Sequence, residues 1–254
     1  MRGRQCSVGV TRPTIHRMGI LPARTGNGWT GVGHRVPSRL VDPNSVIGSV
    51  EALTALYPPA NPRSVAKESG VLTPGYAELI AASPFAIVAT RGQQGLDCSP
   101  RGDRPGFVRV LDEHTLLLPD RRGNNRLDTL RNLLHDPAIA LIFLIPGVGE
   151  AIRVRGTAVI STDPELITLT AHAGIEPATV VVVTVSRVYF QCQRALIRSS
   201  LWDPAAQVTD RSSLPTAGRL QAEVGVLTQQ AADEYDATLD EYARATLYEG
   251  PSKP

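Results

Sequence analysis

AIALIFLI (138–145), PGVGE (146–150) and AIRVRGTAVIST (151–162) run on without interruption, and they decide the fold. An apolar β-type run closes on a Pro-Gly turn, and a second β-type run follows at once. So short a connection forces the two runs to pair antiparallel, as a hairpin. Upstream, NRLDTLRNLLHDP (125–137) reads as a helix with Leu127, Leu130, Leu133 and Leu134 on one face, ended by Pro137. Before it lie PFAIVAT (84–90), DCSPRG (97–102), GFVRVLD (106–112) and TLLLP (115–119), all short and bounded by Gly, Pro or Asp. Downstream, DPELITLTAHAG (163–174) reads as a helix capped by Asp163 and stopped at Gly174. TVVVVTVSRVYFQCQ (179–193) is the most β-branched stretch of the chain and a long strand.

Several short strands with few helices between them make an antiparallel sheet, which closes most easily into a small barrel. Helices flank it. One is expected in SVIGSVEALTALYP (45–58), stopped by Pro58-Pro59. A second is expected over 74–82, with Thr73 as cap and Pro74 in first place. The tail from about 217 to 247 reads as helical, with Leu220, Val224, Leu227, Ala231, Tyr235, Leu239 and Tyr242 recurring at three or four. Residues 1–44 are rich in Gly, Arg and Pro and are expected to be disordered, a misplaced start or a transit segment. Residues 45–254 form the expected single domain, with a helical extension from about 205.

The 254 residues have 42% apolar and 20% charged content, which suits a globular protein with a real core. Only Lys67 and Lys253 are lysines among 26 basic residues. Arg2, Arg4, Arg12, Arg17, Arg24, Arg35 and Arg39 place seven charges in a head without acids, so with +2 overall the remainder totals −5. That balance gives no reason to expect a nucleic-acid partner. The longest apolar run is too short to span a bilayer. Cys6, Cys98 and Cys192 make no disulfide framework, and a reducing, cytoplasmic setting follows.

Chemistry-bearing motifs are few. Gly26-Asn27-Gly28-Trp29-Thr30-Gly31 matches a dinucleotide-binding fingerprint, but it lacks the strand before it and the helix after it. The five histidines are scattered without metal-ligand spacing; His135 and His172 fall near expected helix ends, where capping suffices. LPDRRGNNRLDTLRN (118–132) is richer. A polar loop enters a helix with Arg126 in its first turn and Arg131 in its second. Basic residues there oppose the helix dipole unless an anion sits between them. The alternative is an Asn cap beside solvated arginines. CSPRGDRPGFVR (98–109) has too many breakers for a strand centre. It is a surface loop, or a place where Gly102 and Gly106 let backbone approach a ligand beside Arg101 and Asp103. In RALIRSSLWDP (194–204), Trp202 beside Arg198 is a core anchor or a wall for a planar ligand.

Together these segments resemble the pyridoxamine 5′-phosphate oxidase-like flavoproteins, in particular a bacterial subgroup of flavin-nucleotide-binding proteins. The resemblance is carried by RGNNRLDTLRNLL and by Ile145-Pro146-Gly147, Gly149-Glu150, Arg153-Val154 and Gly156. It covers about 72–205 well and the C-terminal helices loosely. It implies an antiparallel split β-barrel that forms a homodimer, with flavin mononucleotide (FMN) in clefts at the dimer interface. Asn124, Asn125, Arg126 and Arg131 then hold the phosphate. Ser99, Arg101, Gly102, Asp103 and Asp120 face the ring or ribityl chain, with Arg101 the cation beside the ring. Arg198, Ser199 and Trp202 close the cleft, in one version from the other subunit. The chain departs from the oxidases named for pyridoxamine phosphate: it has Asn-Asn-Arg where they carry Ser-Arg-Lys, and it lacks their Arg-Leu-x-Pro ending. The resemblance thus implies a flavin-dependent oxidoreductase of unassigned small-molecule substrate, and no residue stands out as a general base. A non-enzymatic flavin carrier or redox sensor, a barrel holding haem or a deazaflavin, and a cofactor-free interaction module are the rival readings.

Overall fold

A computed structural model describes residues 41–248. The Gly-rich head through Leu40, with its Gly26–Gly31 match, lies outside the described residues, as do 249–254. The chain divides into two compact units, one ending at Pro59 and the other beginning at Ala60. In the first, α1 (Val50–Thr54) starts at Ser49, whose hydroxyl accepts the Ala52 amide at 3.1 Å. It ends before the Pro58-Pro59 pair.

The second unit opens with α2 (Pro62–Ala66), capped by Asn61, and α3 (Pro74–Ala82). As its sequence predicts, α3 has Thr73 for its cap and Pro74 in the first turn, where a missing amide costs nothing. Then come β1 (Phe85–Gly92), β2 (Gly95–Gly102), β3 (Arg109–Val110) and β4 (Thr115–Pro119). They are followed by α4 (Asp128–His135), β5 (Ala138–Leu144), β6 (Ala151–Ser161), α5 (Pro164–Leu169), β7 (Val180–Gln191) and α6 (Arg194–Arg198). The tail holds α7 (Ala217–Glu223) and α8 (Gln229–Ala245).

All seven strands join one sheet in the order β2-β1-β5-β6-β7-β4-β3, and every neighbouring pair is antiparallel. The hairpin that opened the sequence reading pairs as expected, with Ala138 opposite Thr157 and Phe143 opposite Ile152. Inward side chains of β1, β4, β5, β6 and β7 meet in a single cluster that includes Val88, Leu116, Leu141, Val154 and Val183. The sheet therefore wraps around its own core, and it stays open between its outer strands β2 and β3. This is the split barrel with flanking helices. Between Arg155 and Gly156 the β6–β7 register shifts by a bulge. There the Thr184 carbonyl lies where a Cβ on residue 156 would stand, so glycine is required.

Local expectations differ from the structure in four places. CSPRGDRPGFVR is not one loop: DCSPRG lies in β2, as its β-type run suggests, and Pro100 costs no internal ladder bond because β2 is an edge strand. The helix of 125–137 starts only at Asp128. Asn125 and Leu127 adopt left-handed backbone (φ 56° and 59°) and break it before then. Arg126 therefore precedes the helix and Arg131 falls in its first turn. Of its leucines, Leu133 is buried and Leu130 partly so, whereas Leu134 is 80% exposed. The helix after Asp163 stops at Leu169, short of Gly174, and the Thr170 hydroxyl donates back to the Leu166 carbonyl at 2.7 Å. The tail is two helices, parted near Gly225 (φ 77°), and its apolar repeat is no core stripe: Leu220, Val224 and Tyr242 stay exposed. What is buried between α7 and α8 is Gly218 and Ala232, tied by the Gly218 amide donating to Asp236 at 2.7 Å.

Candidate functional site

One cavity of about 940 Å³ gathers most of the sequence-nominated residues. It is bounded by the outer strand β2, by the loop from β4 into α4, by the segment before β7 and by the end of the tail. Ser99, Arg101, Gly102, Asp120, Asn124, Asn125 and Arg126 all line it. Asp103, Arg131, Arg198, Ser199 and Trp202 do not.

The loop that enters α4 follows from local chemistry. The Asn124 side chain accepts the Arg126 amide at 3.1 Å, an Asx turn that competes with helix. Leu127, the residue at the helix boundary, cannot cap. No side chain there accepts the first amides of α4, unlike α3, α5, α7 and α8, whose Thr or Asp caps do so. Free amides and the positive end of the helix dipole therefore face this end of the cavity. Asp128, in the first turn, is a partial counterweight. It accepts Arg126 Nε at 2.7 Å.

Arg101 is fixed differently. Its Nη1 donates to the Pro100 carbonyl at 3.0 Å and its Nη2 to the buried Thr129 hydroxyl at 3.1 Å. Neither of these partners is charged; the nearby acid is Asp120, whose carboxyl feels the Arg101 charge. Burial of the half-buried Asp120 raises its carboxyl above the usual range, and the charge of Arg101 offsets this only in part. The lining is not simply basic. Arg101, Arg121, Arg122 and Arg126 share it with Asp97, Asp120, Asp128 and Glu176.

Asp103 sits behind the lining as an anchor. Its side chain is 1% exposed, and Oδ2 accepts Arg121 Nε at 2.7 Å. Oδ1 accepts the Tyr248 hydroxyl at 2.6 Å and the Arg104 amide at 2.7 Å. Burial by itself would raise this carboxyl, but the bonds from Tyr248, the Arg104 amide and Arg121 outweigh burial and hold it below the ordinary range. Gly106 sits in a turn with φ 85° and does not line the cavity. Trp202 donates its indole N–H to the Val148 carbonyl at 2.9 Å, pinning the tail to the β5–β6 turn. Arg131, Arg198 and Ser199 are exposed. His172 caps no helix; it stacks on Tyr248 with centroids 4.5 Å apart.

Sequence reasoning missed Arg121 as a structural pivot, Thr129 as the seat of Arg101, and Tyr242, Leu247 and Tyr248 as lining. The loop arginines were visible as a group, but no local pattern ties residue 248 to residue 103.

Residues 72–192 match the model of the pyridoxamine 5′-phosphate oxidase family, so the resemblance read in the sequence is borne out over that range. No curated protein matches the chain. Among solved structures, HupZ of Group A Streptococcus is similar at 21% identity, over 47% of this chain and 94% of that one, with a TM-score of 0.40. An FMN-binding protein of Syntrophomonas wolfei is similar at 11% identity, over 45% and 82%, with a TM-score of 0.37. The FAD binding protein of Mycobacterium smegmatis is similar at 14%, over 48% and 97%, with a TM-score of 0.35. Among the described residues no helix is long and apolar enough to cross a membrane.

Proposed function

We propose that this chain, built around a pyridoxamine 5′-phosphate oxidase-type module, binds FMN in the cavity between β2 and α4 and serves as a flavin-dependent oxidoreductase on a small molecule. The observation that carries the reading is the uncapped start of α4 beside Arg101 and the Asn124–Arg126 turn, within one cavity. Free helix amides and an arginine whose hydrogen bonds go to neutral groups suit a phosphate or an anionic ring edge. A volume of about 940 Å³ is at the roomy end for a cofactor together with a substrate.

In this reading Asn124, Asn125 and Arg126 take the phosphate, and Arg126 exchanges its bond to Asp128 for the stronger dianion. Ser99 and Gly102 border the ribityl chain and ring. Arg101, held by Thr129, would supply a fixed positive charge to a bound flavin, favouring negative charge on it. Burial disfavours the charge of Asp120, so it takes up a proton more readily than a solvated aspartate. The flavin itself supplies hydride transfer when bound. Arg198 and Ser199, exposed in the single chain, complete the cleft from a second copy in a cytoplasmic homodimer.

Flavin binding is tested by cofactor analysis of purified protein and by fluorescence titration with FMN. Arg126→Ala should weaken FMN by about tenfold, the worth of one charge-assisted contact, and leave riboflavin unaffected. Full FMN occupancy in that variant would overturn the phosphate assignment. Turnover with a reduced nicotinamide donor separates an enzyme from a flavin carrier.

A further inference from the structure

We infer that the segment from Tyr242 to Tyr248 is a latched wall of the cavity, that Tyr248 is the positioning residue that holds it, and that Tyr242 and Leu247 select for a planar aromatic ligand. This inference rests on the flavin reading for its ligand and not for its latch. The family match spans residues 72–192, so this wall lies outside the matched residues. Tyr242 and Leu247 line the cavity while 60% and 57% exposed, so their surfaces are turned to open space that a ligand could fill. The attachment is narrow. Tyr248 donates to Asp103 at 2.6 Å and stacks on His172 at 4.5 Å, whereas along α8 only Ala232 is buried. Asp103 itself is immobile, since Arg121 bridges it to the Thr170 carbonyl at 3.0 Å. A wall with few buried contacts, tied to a rigid anchor by one hydroxyl, opens locally at low free energy without unfolding the barrel. An aromatic face gains most from a flat ring partner, so the wall is matched to the ring of the ligand and not to its phosphate.

The test uses the full chain and Tyr248→Phe, which removes the latch hydroxyl but leaves the Asp103–Arg121 pair and the ring stack. Tyr242→Ala is the second variant. Release of FMN and of riboflavin is followed by stopped-flow fluorescence, and opening is followed by the rate of tryptic cleavage after Arg244. Cleavage after Arg219 serves as a control for global unfolding. In Tyr248→Phe, both flavins should leave about tenfold faster, by the same factor, and Arg244 should be cut faster while Arg219 is not. Tyr242→Ala should weaken both flavins equally. Wild-type release rates in Tyr248→Phe, or an effect on FMN alone, would overturn the inference. If the wild type binds neither flavin, the proposed function fails, and Arg244 alone decides the latch: faster cleavage in Tyr248→Phe supports it and unchanged cleavage refutes it.

Discussion

Asp103→Asn is the substitution whose consequence the geometry fixes most closely. The side chain is 1% exposed and its partner Arg121 is 16% exposed, so water can replace little of what is lost. Asparagine has nearly the same shape. Its one oxygen can still accept Tyr248 and the Arg104 amide, which both bond to Oδ1. Its amide nitrogen must then face Arg121 Nε, a donor against a donor across 2.7 Å, with the guanidinium left uncompensated. Breaking a buried pair in this way costs about 3–5 kcal/mol, which for a domain of this size lowers Tm by roughly 6–20 °C. Calorimetry and urea unfolding at neutral pH measure it. The pH dependence gives an independent check. Since the folded-state carboxyl titrates below its ordinary value of 3.8, its contribution is fully present above that value. It is lost as pH falls through the lower folded-state value, so wild type and Asn variant should converge in acid. The double variant Asp103→Asn, Arg121→Met should recover part of the loss by removing the stranded charge. A single variant within about 1 kcal/mol of wild type would show that solvent reaches this pair and that the anchor is no anchor.

Two further predictions concern the barrel. Gly156→Ala would drive a methyl into the Thr184 carbonyl at the β6–β7 bulge, and should lower stability by about 1–3 kcal/mol or more, read from the urea midpoint. The fully buried Ser83 hydroxyl lies 2.7 Å from both the Phe85 and Leu144 carbonyls. Ser83→Ala should therefore cost about 1–3 kcal/mol, with faster amide exchange at the β1–β5 end, and an unchanged midpoint would contradict that bonding.

Much of the barrel was legible because its signals are local. The Pro-Gly turn after Ile145, the β-branched run of β7 and the Thr73-Pro74 start of α3 each follow from neighbours in the chain. The places that misled were those where local signal and three-dimensional position disagree. Pro100 looked like a strand breaker, but an edge strand tolerates it. The leucine spacing places Leu134 on one face with Leu130 and Leu133, yet it lies about 100° round α4 from the buried Leu133 and faces out. The tail repeat suggested one helical stretch, and it is two largely exposed helices joined through small residues.

The amino-acid sequence by itself determined the antiparallel barrel, its hairpins and the loop that precedes α4, because hydrophobic period, turn residues and caps act over a few positions. It also carried the family resemblance within 72–192. Only the tertiary structure decided which charges neutralise each other. Asp103 was nominated for a cofactor, but it lies behind the cavity wall with Arg121; Arg126 pairs with Asp128, and Arg101 leans on a neutral threonine. It alone brought Tyr248 to Asp103, across 145 positions of chain. Such pairings arise from how strands and loops stack in space, and no periodicity along the chain encodes them.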